Sequence, residues 1–337
     1  MKIVVTGGLG FIGSHTVVEL QNEGFEVVII DNLSNSSREV LEGIEAITSV
    51  LPIFEELDLR EKQSVQQFFK KYSDISAVIH FAASKAVGES VEDPLLYYEN
   101  NISTLIYVLQ ELQKKPAAQF IFSSSCTVYG QAEIMPITEN ASIQTAMSPY
   151  GNTKQIGEEI ITDVARVSNI TAILLRYFNP IGAHPTAHIG ELPMGVPQNL
   201  VPFITQTGIG MRQELSVYGD DYPTSDGTCV RDYIHVVDLA KAHVAAMKRL
   251  LQNKNKEKVE TFNVGTGTGS TVLEVIKTFE KVSGKKLPYK IVDRREGDIT
   301  SAYANTAKAN EELGWKALST LEDGLASAWK WEQKIRS

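Results

Sequence analysis

The chain has 337 residues, of which 43% are hydrophobic and 22% charged, and its formal net charge is −9. This composition is typical of a globular protein with one large domain or two closely packed ones, and its acidic balance argues against a nucleic-acid surface. Its two cysteines, Cys126 and Cys229, provide no disulfide framework. The N-terminus reaches glycines too early for a signal peptide, and no run of about 18 apolar residues follows. We therefore expect a cytoplasmic protein without membrane or nucleic-acid partners.

Short apolar runs alternate with helical patterns through the first half of the chain. Strands are predicted at Lys2–Thr6, Glu26–Ile30, Ala77–Phe81, Gln119–Ser123 and Thr171–Arg176. Helices are predicted between them at Gly13–Glu23, Lys62–Lys71, Pro94–Gln113 and Tyr150–Val167. Apolar strands that alternate with helices predict right-handed crossovers and an α/β fold, in which helices cover both faces of a doubly wound parallel sheet.

The pattern changes in the second half. Residues from about Asn179 to Gly227 are rich in Pro and Gly, which indicates loops and short elements that build a binding surface. A helix at Asp232–Leu251 and a strand at Thr261–Val264 are predicted next. We expect a Rossmann-type domain over residues 1–178, with returning segments near 232–264, and a smaller interleaved substrate domain over 179–337.

A glycine-rich turn between the first strand and the first helix is typical of dinucleotide binding. Gly7, Gly8, Gly10 and Gly13 let the backbone approach a pyrophosphate, and the helix that follows offers unpaired N–H groups to the anion. Asp31 ends the second strand 18 residues after Gly13. Its carboxylate can accept hydrogen bonds from both ribose hydroxyls and would repel a 2′-phosphate, which predicts NAD rather than NADP. The alternative is an ordinary glycine turn and a helix-capping Asp.

Another acidic position follows the third apolar run, at Asp58-Leu59. In a fold of this type, that place lies beside the adenine of a bound dinucleotide. The alternative is a solvated loop carboxylate, and the residues leave both interpretations open.

A Y-x-x-x-K pattern places Tyr150 and Lys154 on one face of a predicted helix. A cation beside a phenol favours the phenolate, so we expect Lys154 to lower the pKa of Tyr150 and make it a usable base. The run Ser123–Ser125 ends the preceding strand, where one hydroxyl could bind the reacting oxygen or only cap the strand. The alternative is that Tyr150 and Lys154 are ordinary surface residues. The position of the pair after the serine run favours a catalytic role.

Several segments resemble the UDP-glucose 4-epimerases of the extended short-chain dehydrogenase/reductase family. They are Val4–His15, His80–Ser90, Phe122–Ser125, Val128–Gly130, Leu175–Pro180, Asp226–Thr228, Val230–Val236 and Arg294–Asp298. The resemblance extends from residue 1 to about 315, and the segments around Lys85–Ser90 and Arg231–His235 are more specific than the glycine turn.

The resemblance assigns roles to individual residues. Tyr150 is the expected base, Lys154 tunes it and holds the nicotinamide ribose, and Ser125 binds O4 of the sugar. The residues expected to bind NAD are Gly7, Gly10, Phe11, Ile12, Gly13, Asp31, Asn32, Asp58, Leu59, Phe81, Ala82, Lys85, Asn100, Tyr150, Lys154, Tyr177 and Phe178. Those expected to bind a UDP-hexose are Lys85, Ser125, Tyr150, Asn179, Asn199, Leu200, Val217, Tyr218, Arg231, Tyr233, Arg295, Asp298 and Ala302.

The implied activity is an NAD-dependent 4-epimerase that interconverts UDP-glucose and UDP-galactose through a transient 4-keto sugar, and relatives imply a homodimer. Ala302 stands where some relatives have a Tyr that walls the sugar pocket, so its small size predicts that UDP-GlcNAc and UDP-GalNAc are also substrates. The alternative is that Ala302 only packs against a helix, or that Tyr303 fills the gap. Cys126 follows the serine run where many relatives have Ala, and we expect it to be a small buried apolar residue. The six histidines show no metal-ligand spacing, and no metal is expected.

Two other functions remain open from the residues. A nucleotide-sugar 4,6-dehydratase shares the fold and the first step, but it needs an acid–base pair directly after Ser125, where this chain has Cys126 and Thr127. A non-catalytic NAD-sensing module would have no use for Tyr150, Lys154 and the serine run together. Turnover of UDP-galactose would separate the sensing module from both enzymes.

Overall fold

A central parallel sheet organises the molecule, whose computed structural model describes residues 1–295 and 298–337. Its strands are β1 Lys2–Thr6, β2 Glu26–Asp31, β3 Ile53–Glu56, β4 Ala77–His80, β5 Ala118–Ser125, β6 Ile170–Tyr177 and β11 Val259–Val264. Within the described residues, these seven strands form one sheet in the order β11-β6-β5-β4-β1-β2-β3. Every neighbouring pair is parallel. The α/β fold with a parallel sheet that the sequence predicts is confirmed.

Helices connect these strands and continue into the second half. They are α1 Phe11–Asn22, α2 Val40–Thr48, α3 Lys62–Lys71, α4 Val87–Glu92, α5 Pro94–Leu112, α6 Pro149–Val167, α7 Leu200–Gly208, α8 Val236–Leu251, α9 Val272–Ser283 and α10 Leu321–Ile335. The described residues also form a 3₁₀ turn at Cys126–Tyr129 and a π-helical turn at Ala309–Leu313.

Two apolar layers bury the faces of the sheet. Successive strand residues point to opposite faces, so Ile3 lies in the same buried cluster as residues of α1 and α8, whereas Val4 lies in another. The second cluster includes Phe68 of α3, Leu105 of α5 and Ile161 of α6. Helices therefore cover both faces, and the carboxyl ends of the strands are left to form the edge at which ligands bind in open α/β sheets.

The second half contains small sheets rather than a continuation of the large one. Its strands are β7 Asn179–Ile181, β8 Leu215–Tyr218, β9 Val230–Arg231, β10 Tyr233–His235, β12 Ser270–Thr271, β13 Tyr289–Val292 and β14 Ser301–Ala302. They pair as β10-β7, β12-β9-β14 and β13-β8. A separate apolar cluster, with Phe279 of α9 and Trp329 of α10 in edge-to-face contact, holds α7, α9 and α10 together.

The predicted helix at Asp232–Leu251 is wrong at its beginning. Residues 230–235 are extended as β9 and β10, and α8 starts at Val236. The Asp232 carboxylate accepts hydrogen bonds from the Thr266 and Gly267 amides, which holds this segment against a neighbouring loop. The His235 side chain accepts from the amide of Val237 and caps the new helix. The predicted strand at Thr261–Val264 begins two residues earlier, at Val259.

Candidate functional site

The turn between β1 and α1 has the shape that a dinucleotide pyrophosphate requires. Gly7 has a φ of +67°, and a Cβ there would lie 2.9 Å from the amide nitrogen of Ala82. A Cβ on Gly13 would lie 2.2 Å from the carbonyl oxygen of Gly7, so only glycine fits either position. Among the described residues, no side chain caps the start of α1 at Gly10. The amides of Phe11 and Ile12, which open the helix, therefore suit an anion.

Asp31 lies at the end of β2, next to this turn, and is buried. Its Oδ2 accepts from the amide of Leu9 at 3.0 Å, and its Oδ1 accepts from the amide of Leu33 at 3.0 Å and the hydroxyl of Ser36 at 2.8 Å. Each carboxylate oxygen has two lone pairs, so Oδ2 retains capacity for a ribose hydroxyl. These bonds fix the orientation of the Asp31 carboxylate beside the glycine turn.

Asp58 is held beside the same strand end. Its Oδ2 accepts from Asn32 Nδ2 at 3.2 Å, and the adjacent Leu59 is buried. The Arg60 guanidinium lowers the pKa of the Asp58 carboxyl to about 2. The structure thus places Asp31, Asn32 and Asp58 together.

The ends of β4, β5 and β6 supply further side chains predicted to line the cofactor. The Phe81 ring, directly after β4, is 4.7 Å from the His243 ring of α8. The Tyr177 hydroxyl at the end of β6 is 2.6 Å from the hydroxyl of Ser123 on β5. Asn100 of α5 donates to the Ser84 hydroxyl at 2.8 Å, in the segment between Ala82 and Lys85.

Helix α6 presents Tyr150 and Lys154 to this edge. It starts where Ser148 accepts a hydrogen bond from the amide of Gly151 and Pro149 occupies the first turn, a combination that favours helix initiation. Both site residues are buried, and Lys154 Nζ donates to the Ser123 carbonyl at 2.8 Å. The Nζ atom is 5.8 Å from the centroid of the Tyr150 ring. The sequence-predicted pair therefore meets the serine run.

The expectation that Lys154 lowers the pKa of Tyr150 is wrong for the protein alone. Burial raises the pKa of Tyr150 well above its ordinary value, with a further rise from Tyr177 and an opposing effect of the Ser125 hydroxyl. Burial also lowers the pKa of Lys154 to about 8, since a buried ammonium loses its hydration. Desolvation of the phenol outweighs the cation, so the pKa of Tyr150 is not lowered as expected.

The three serines at the end of β5 make different contacts. Ser123 meets Tyr177, Ser124 donates to Glu158 Oε1 at 2.5 Å, and Ser125 accepts from the amide of Thr127 at 3.2 Å. Ser125 thus caps the 3₁₀ turn and also lies beside Tyr150. The capping role and the catalytic role that the sequence analysis opposed are compatible, because the hydroxyl of Ser125 retains its own proton for a ligand.

The residues predicted to hold UDP cluster in the second half. Arg231 Nη2 is 3.4 Å from Asp298 Oδ1, and Arg295 Nε donates to Asp298 Oδ2 at 3.1 Å. The Arg295 guanidinium lies 4.7 Å from the Tyr218 ring centroid, whereas Val217 on the same strand is buried. Two cations, one carboxylate and an aromatic face suit a nucleoside diphosphate. Residues 296 and 297 of the segment that resembles the epimerases lie outside the described residues.

A buried carboxylate that the sequence analysis missed aligns this cluster. Asp232 accepts from the amides of Thr266, Gly267 and Ala304 at 2.8, 3.2 and 3.1 Å, and burial raises its pKa. Strand pairing on either side of it places Tyr233 opposite Asn179 and Arg231 opposite Ala302. Ala302 is buried in an apolar cluster that also contains Phe178.

A second missed residue, Glu191, contacts one predicted ligand residue from each half. Its Oε1 is 3.5 Å from Lys85 Nζ and accepts from Asn199 Nδ2 at 2.7 Å. Asn199 precedes α7, whose first residue is Leu200. No spacing rule in the sequence singles out Glu191 or Asp232, because each acts through contacts far along the chain.

Comparison with known proteins gives a consistent result. The family model described as GDP-mannose 4,6 dehydratase matches residues 4–328. The UDP-glucose 4-epimerase of Bacillus subtilis is 50% identical over 98% of this chain and 97% of its own, and that of Homo sapiens is 46% identical over 99% and 97%.

Solved structures of similar proteins have the same fold. The UDP-glucose-4-epimerase of Stenotrophomonas maltophila, with bound NAD and formylated UDP-arabinopyranose, has a TM-score of 0.95 and 46% identity over 100% of this chain and 99% of that one. The UDP-glucose 4-epimerase of Bifidobacterium longum, in complex with NAD+ and UDP, has a TM-score of 0.94 and 46% identity over the same shares. Within the part of the chain that the structure describes, no helix has the length and apolar character to cross a bilayer.

Proposed function

The chain belongs to the UDP-glucose 4-epimerase family, and we propose that it interconverts UDP-glucose and UDP-galactose by inverting C4 of the hexose. One observation carries the proposal: Tyr150, Lys154 and Ser125 meet at the edge of the sheet whose first turn fits a dinucleotide. The reaction passes through a 4-keto sugar, which turns its other face to the site before reduction.

NAD is the cofactor of this proposal, and similar epimerases are solved with it bound. The Gly7–Gly13 turn would hold its pyrophosphate, Asp31 and Asn32 its adenosine ribose, and Asp58 with Leu59 its adenine. Lys154 would hold the nicotinamide ribose beside Phe81 and Tyr177. When bound, NAD supplies reversible hydride acceptance at C4. The cradle around Gly7 and Gly13, where a Cβ would collide, fits this group.

The proton is handled by the chain itself. Tyr150 takes the proton of the C4 hydroxyl and later returns it, while the Ser125 hydroxyl holds O4 in reach of the phenol. Because burial favours the neutral phenol, Tyr150 acts as a base only while a cation is close in the same low-dielectric site. Lys154, 5.8 Å from the ring centroid, supplies that charge.

The diphosphate and uracil are held by the second half, which we propose as the substrate domain over residues 179–337. Arg231 and Arg295 face the diphosphate, and Asp298 orients both guanidinium groups. Asn179, Asn199, Leu200, Val217, Tyr218 and Tyr233 complete this set of proposed contacts. A firm grip on UDP leaves the sugar free to rotate, which epimerisation requires because both faces of C4 must meet the same cofactor.

A product assay with UDP-galactose tests the proposal. We expect UDP-glucose to form, with no net NADH in solution and no loss of water from the sugar. Accumulation of NADH would indicate a dehydrogenase, a 4-keto-6-deoxy product a dehydratase, and the absence of any turnover a binding module. The residues after Ser125, Cys126 and Thr127, lack the acid that dehydration needs, and burial raises the pKa of the Cys126 thiol to about 11.

We propose further that N-acetylated UDP-hexoses are substrates. Ala302 lies opposite Arg231 in the β9–β14 pair and belongs to the apolar cluster against which Cys126, the neighbour of Ser125, packs. A Tyr at this buried position would have to displace its neighbours, and such overpacking costs about 1–3 kcal/mol. We expect the parent to interconvert UDP-GlcNAc and UDP-GalNAc and Ala302→Tyr to lose this activity selectively. If the parent fails on the N-acetylated pair, or the variant keeps its rate, the proposal is wrong.

A homodimer is the proposed assembly. Val87, Val91 and Leu95 recur every four residues along α4 and the start of α5, and their exposures are 50%, 62% and 76%. Apolar side chains in such a row favour a partner, here a second copy. Light scattering should give twice the chain mass, and Leu95→Glu should shift the protein toward the monomer.

We also propose a cytoplasmic location. Cys126 and Cys229 are free thiols, as in proteins of reducing compartments. Cell fractionation with an antibody to this chain tests the proposal.

A further inference from the structure

A buried carboxylate lies one helical turn beyond Lys154. Tyr150, Lys154 and Glu158 follow each other at intervals of four on α6, and the structure buries all three side chains on the same face. Glu158 is too far along the helix to be counted with the Y-x-x-x-K pattern, and the proposed mechanism does not use it.

Glu158 connects α6 to the two strands that carry the site. Its Oε1 accepts from Ser124 Oγ of β5 at 2.5 Å and from Arg176 Nε of β6 at 2.9 Å. Its Oε2 accepts from Arg176 Nη2 at 2.5 Å. Ser124 and Arg176 are each one residue before a proposed site residue, Ser125 and Tyr177. A single carboxylate therefore sets the helix against both strand ends.

The charges around Glu158 are few and can be named. Arg176 faces it from β6, Lys154 from its own helix, and Tyr129 of the 3₁₀ turn stacks on Arg176 with the guanidinium 4.8 Å from the ring centroid. The Tyr129 hydroxyl donates to Asn263 Oδ1, and the amide of Asn263 donates in turn to the carboxylate of Glu139.

The effect of this carboxylate reaches the ammonium of the site. Burial lowers the pKa of Lys154 to about 8, and the charge of Glu158 opposes that fall. Although burial disfavours its charge, the pKa of Arg176 is raised by the hydrogen bonds and charge of Glu158. Lys154 Nζ donates to the Ser123 carbonyl, which is neutral, so Glu158 is its anionic neighbour. On β4, burial and then the charge of Lys154 lower the pKa of His80 to about 3, so this imidazole is neutral.

We propose that Glu158 is a positioning residue for the reaction: it locks α6 onto the ends of β5 and β6 and places a negative charge one helical turn from Lys154. This role rests on the proposed function, because it acts on the base only through Lys154. It predicts that loss of the charge alone, with shape preserved, changes the dependence of activity on pH.

The test is the pH profile of kcat for Glu158→Gln in the full chain with its NAD. Lys154 and Glu158 are neighbours one turn apart on the same helix face, and the surroundings of a group in a folded protein commonly shift its pKa by about one unit. We therefore expect the alkaline limb of the profile to move to lower pH by up to about one unit. The sign follows from Lys154: without Glu158 its ammonium deprotonates at lower pH, and the base loses its cation earlier.

A second buried ion pair provides the matched control. Arg249 Nε and Nη2 donate to the two carboxylate oxygens of Glu260 at 2.7 and 2.8 Å, and both residues are buried on α8 and β11. Glu260→Gln removes the same charge and should lower Tm much as Glu158→Gln does. It should leave the pH profile unchanged, because the hydrogen-bond partners of the Glu260 side chain in the described residues are Arg249 and the amide of Lys256, neither of them a proposed site residue.

Glu158→Gln leaves the buried Arg176 guanidinium without its anionic partner, which could prevent folding. The double variant Glu158→Gln with Arg176→Met removes this cation as well, and it replaces the single variant in the experiment if that variant fails to fold. The alkaline limb of its pH profile should also move to lower pH. An unchanged limb in a folded variant, or an equal shift in Glu260→Gln, overturns the proposal. Absence of epimerase activity from the parent at every pH would instead refute the proposed function, so the two failures are distinguishable.

Discussion

The edge of the sheet around Tyr150 and the cluster around Arg231 hold their side chains in different ways. At the edge, Tyr150, Lys154 and Ser125 are buried on α6 and β5, two regular elements that Lys154 connects through the Ser123 carbonyl. In the cluster, the side chains of Arg231 and Arg295 are 16% and 56% exposed, and short strands and ion pairs hold them in place.

This difference matches the two tasks of an epimerase. Proton transfer needs reacting atoms within hydrogen-bond distance, so small displacements are costly. Recognition of a diphosphate depends on the Coulomb attraction between charges, which decays gradually with distance and therefore tolerates small movements. We therefore expect substitutions at the edge to reduce kcat and substitutions in the cluster to raise KM, and the predictions below start from the largest effect.

The sharpest test is Tyr150→Phe, which removes the acidic hydroxyl and keeps the buried ring. We expect kcat to fall by about 10²–10⁴-fold, the usual contribution of a general acid–base group, while Tm and bound NAD change little. Tyr72→Phe is the matched control, since the Tyr72 hydroxyl bonds Glu55 on β3, the edge strand at the other end of the strand order from β6. A Tyr150→Phe enzyme with more than about a tenth of the parent activity would show that another group is the base.

Gly13→Ala tests the cofactor side of the edge. The added methyl would lie 2.2 Å from the Gly7 carbonyl oxygen, and overpacking of about 1–3 kcal/mol corresponds to roughly 5- to 150-fold weaker NAD retention. The NAD content of the purified protein measures this effect. Gly88→Ala is the control for folding, because a Cβ there meets nothing within 4 Å. Equal NAD content in Gly13→Ala and the parent would contradict this placement of the pyrophosphate.

Arg231→Lys tests the cluster. The ammonium retains the charge but loses the planar fork that bonds the Val230 and Ile299 carbonyls and faces Asp298. We expect KM for UDP-galactose to rise about 10- to 100-fold, with kcat changed far less. Arg294→Lys, whose partner is the exposed Asp221, should have kinetics close to the parent. A loss confined to kcat would break the division of tasks proposed above.

The smallest effect concerns pH. Lys154 has a pKa of about 8 in the folded protein because burial disfavours its charge, and Tyr150 needs that charge to ionise. The parent kcat should be halved near pH 8 and reduced about tenfold one pH unit higher, whereas binding of UDP, which depends on guanidinium groups, should persist. Parallel kcat and inhibitor-binding profiles against pH provide the check, and a kcat constant to pH 9.5 would exclude Lys154 as the controlling group.

The sequence analysis was most successful where local pattern and structure coincide. Helix α3 lies at the predicted Lys62–Lys71, and the apolar runs predicted the central strands because burial on both faces leaves a continuous signal. The fold class and the family followed from the glycine turn, the Y-x-x-x-K pair and the specific segments. The similarity to curated relatives and to solved structures confirms the fold class and the family.

It was least successful where long-range contacts override local propensity. Residues 232–235 have a helical pattern, yet Asp232 bonds amides more than 30 residues away and keeps them extended. The raised pKa of Tyr150 was missed for a related reason, since desolvation depends on everything packed around the phenol rather than on its spacing from Lys154. The roles of individual site residues stay predictions that the variants above can test.

Strand β11 has a consequence for the order in which the protein is made. It pairs with β6 in the large sheet, yet Val259 follows Tyr177 only after 81 intervening residues. At a synthesis rate of about 5–20 residues per second, the β6 edge leaves the ribosome roughly 4 to 16 seconds before its partner. During that interval its amides and carbonyls form an open edge of the kind that invites pairing with other chains. The β6 edge of the nascent sheet therefore stays unpaired until residues 178–258 have been made and β11 can add to it.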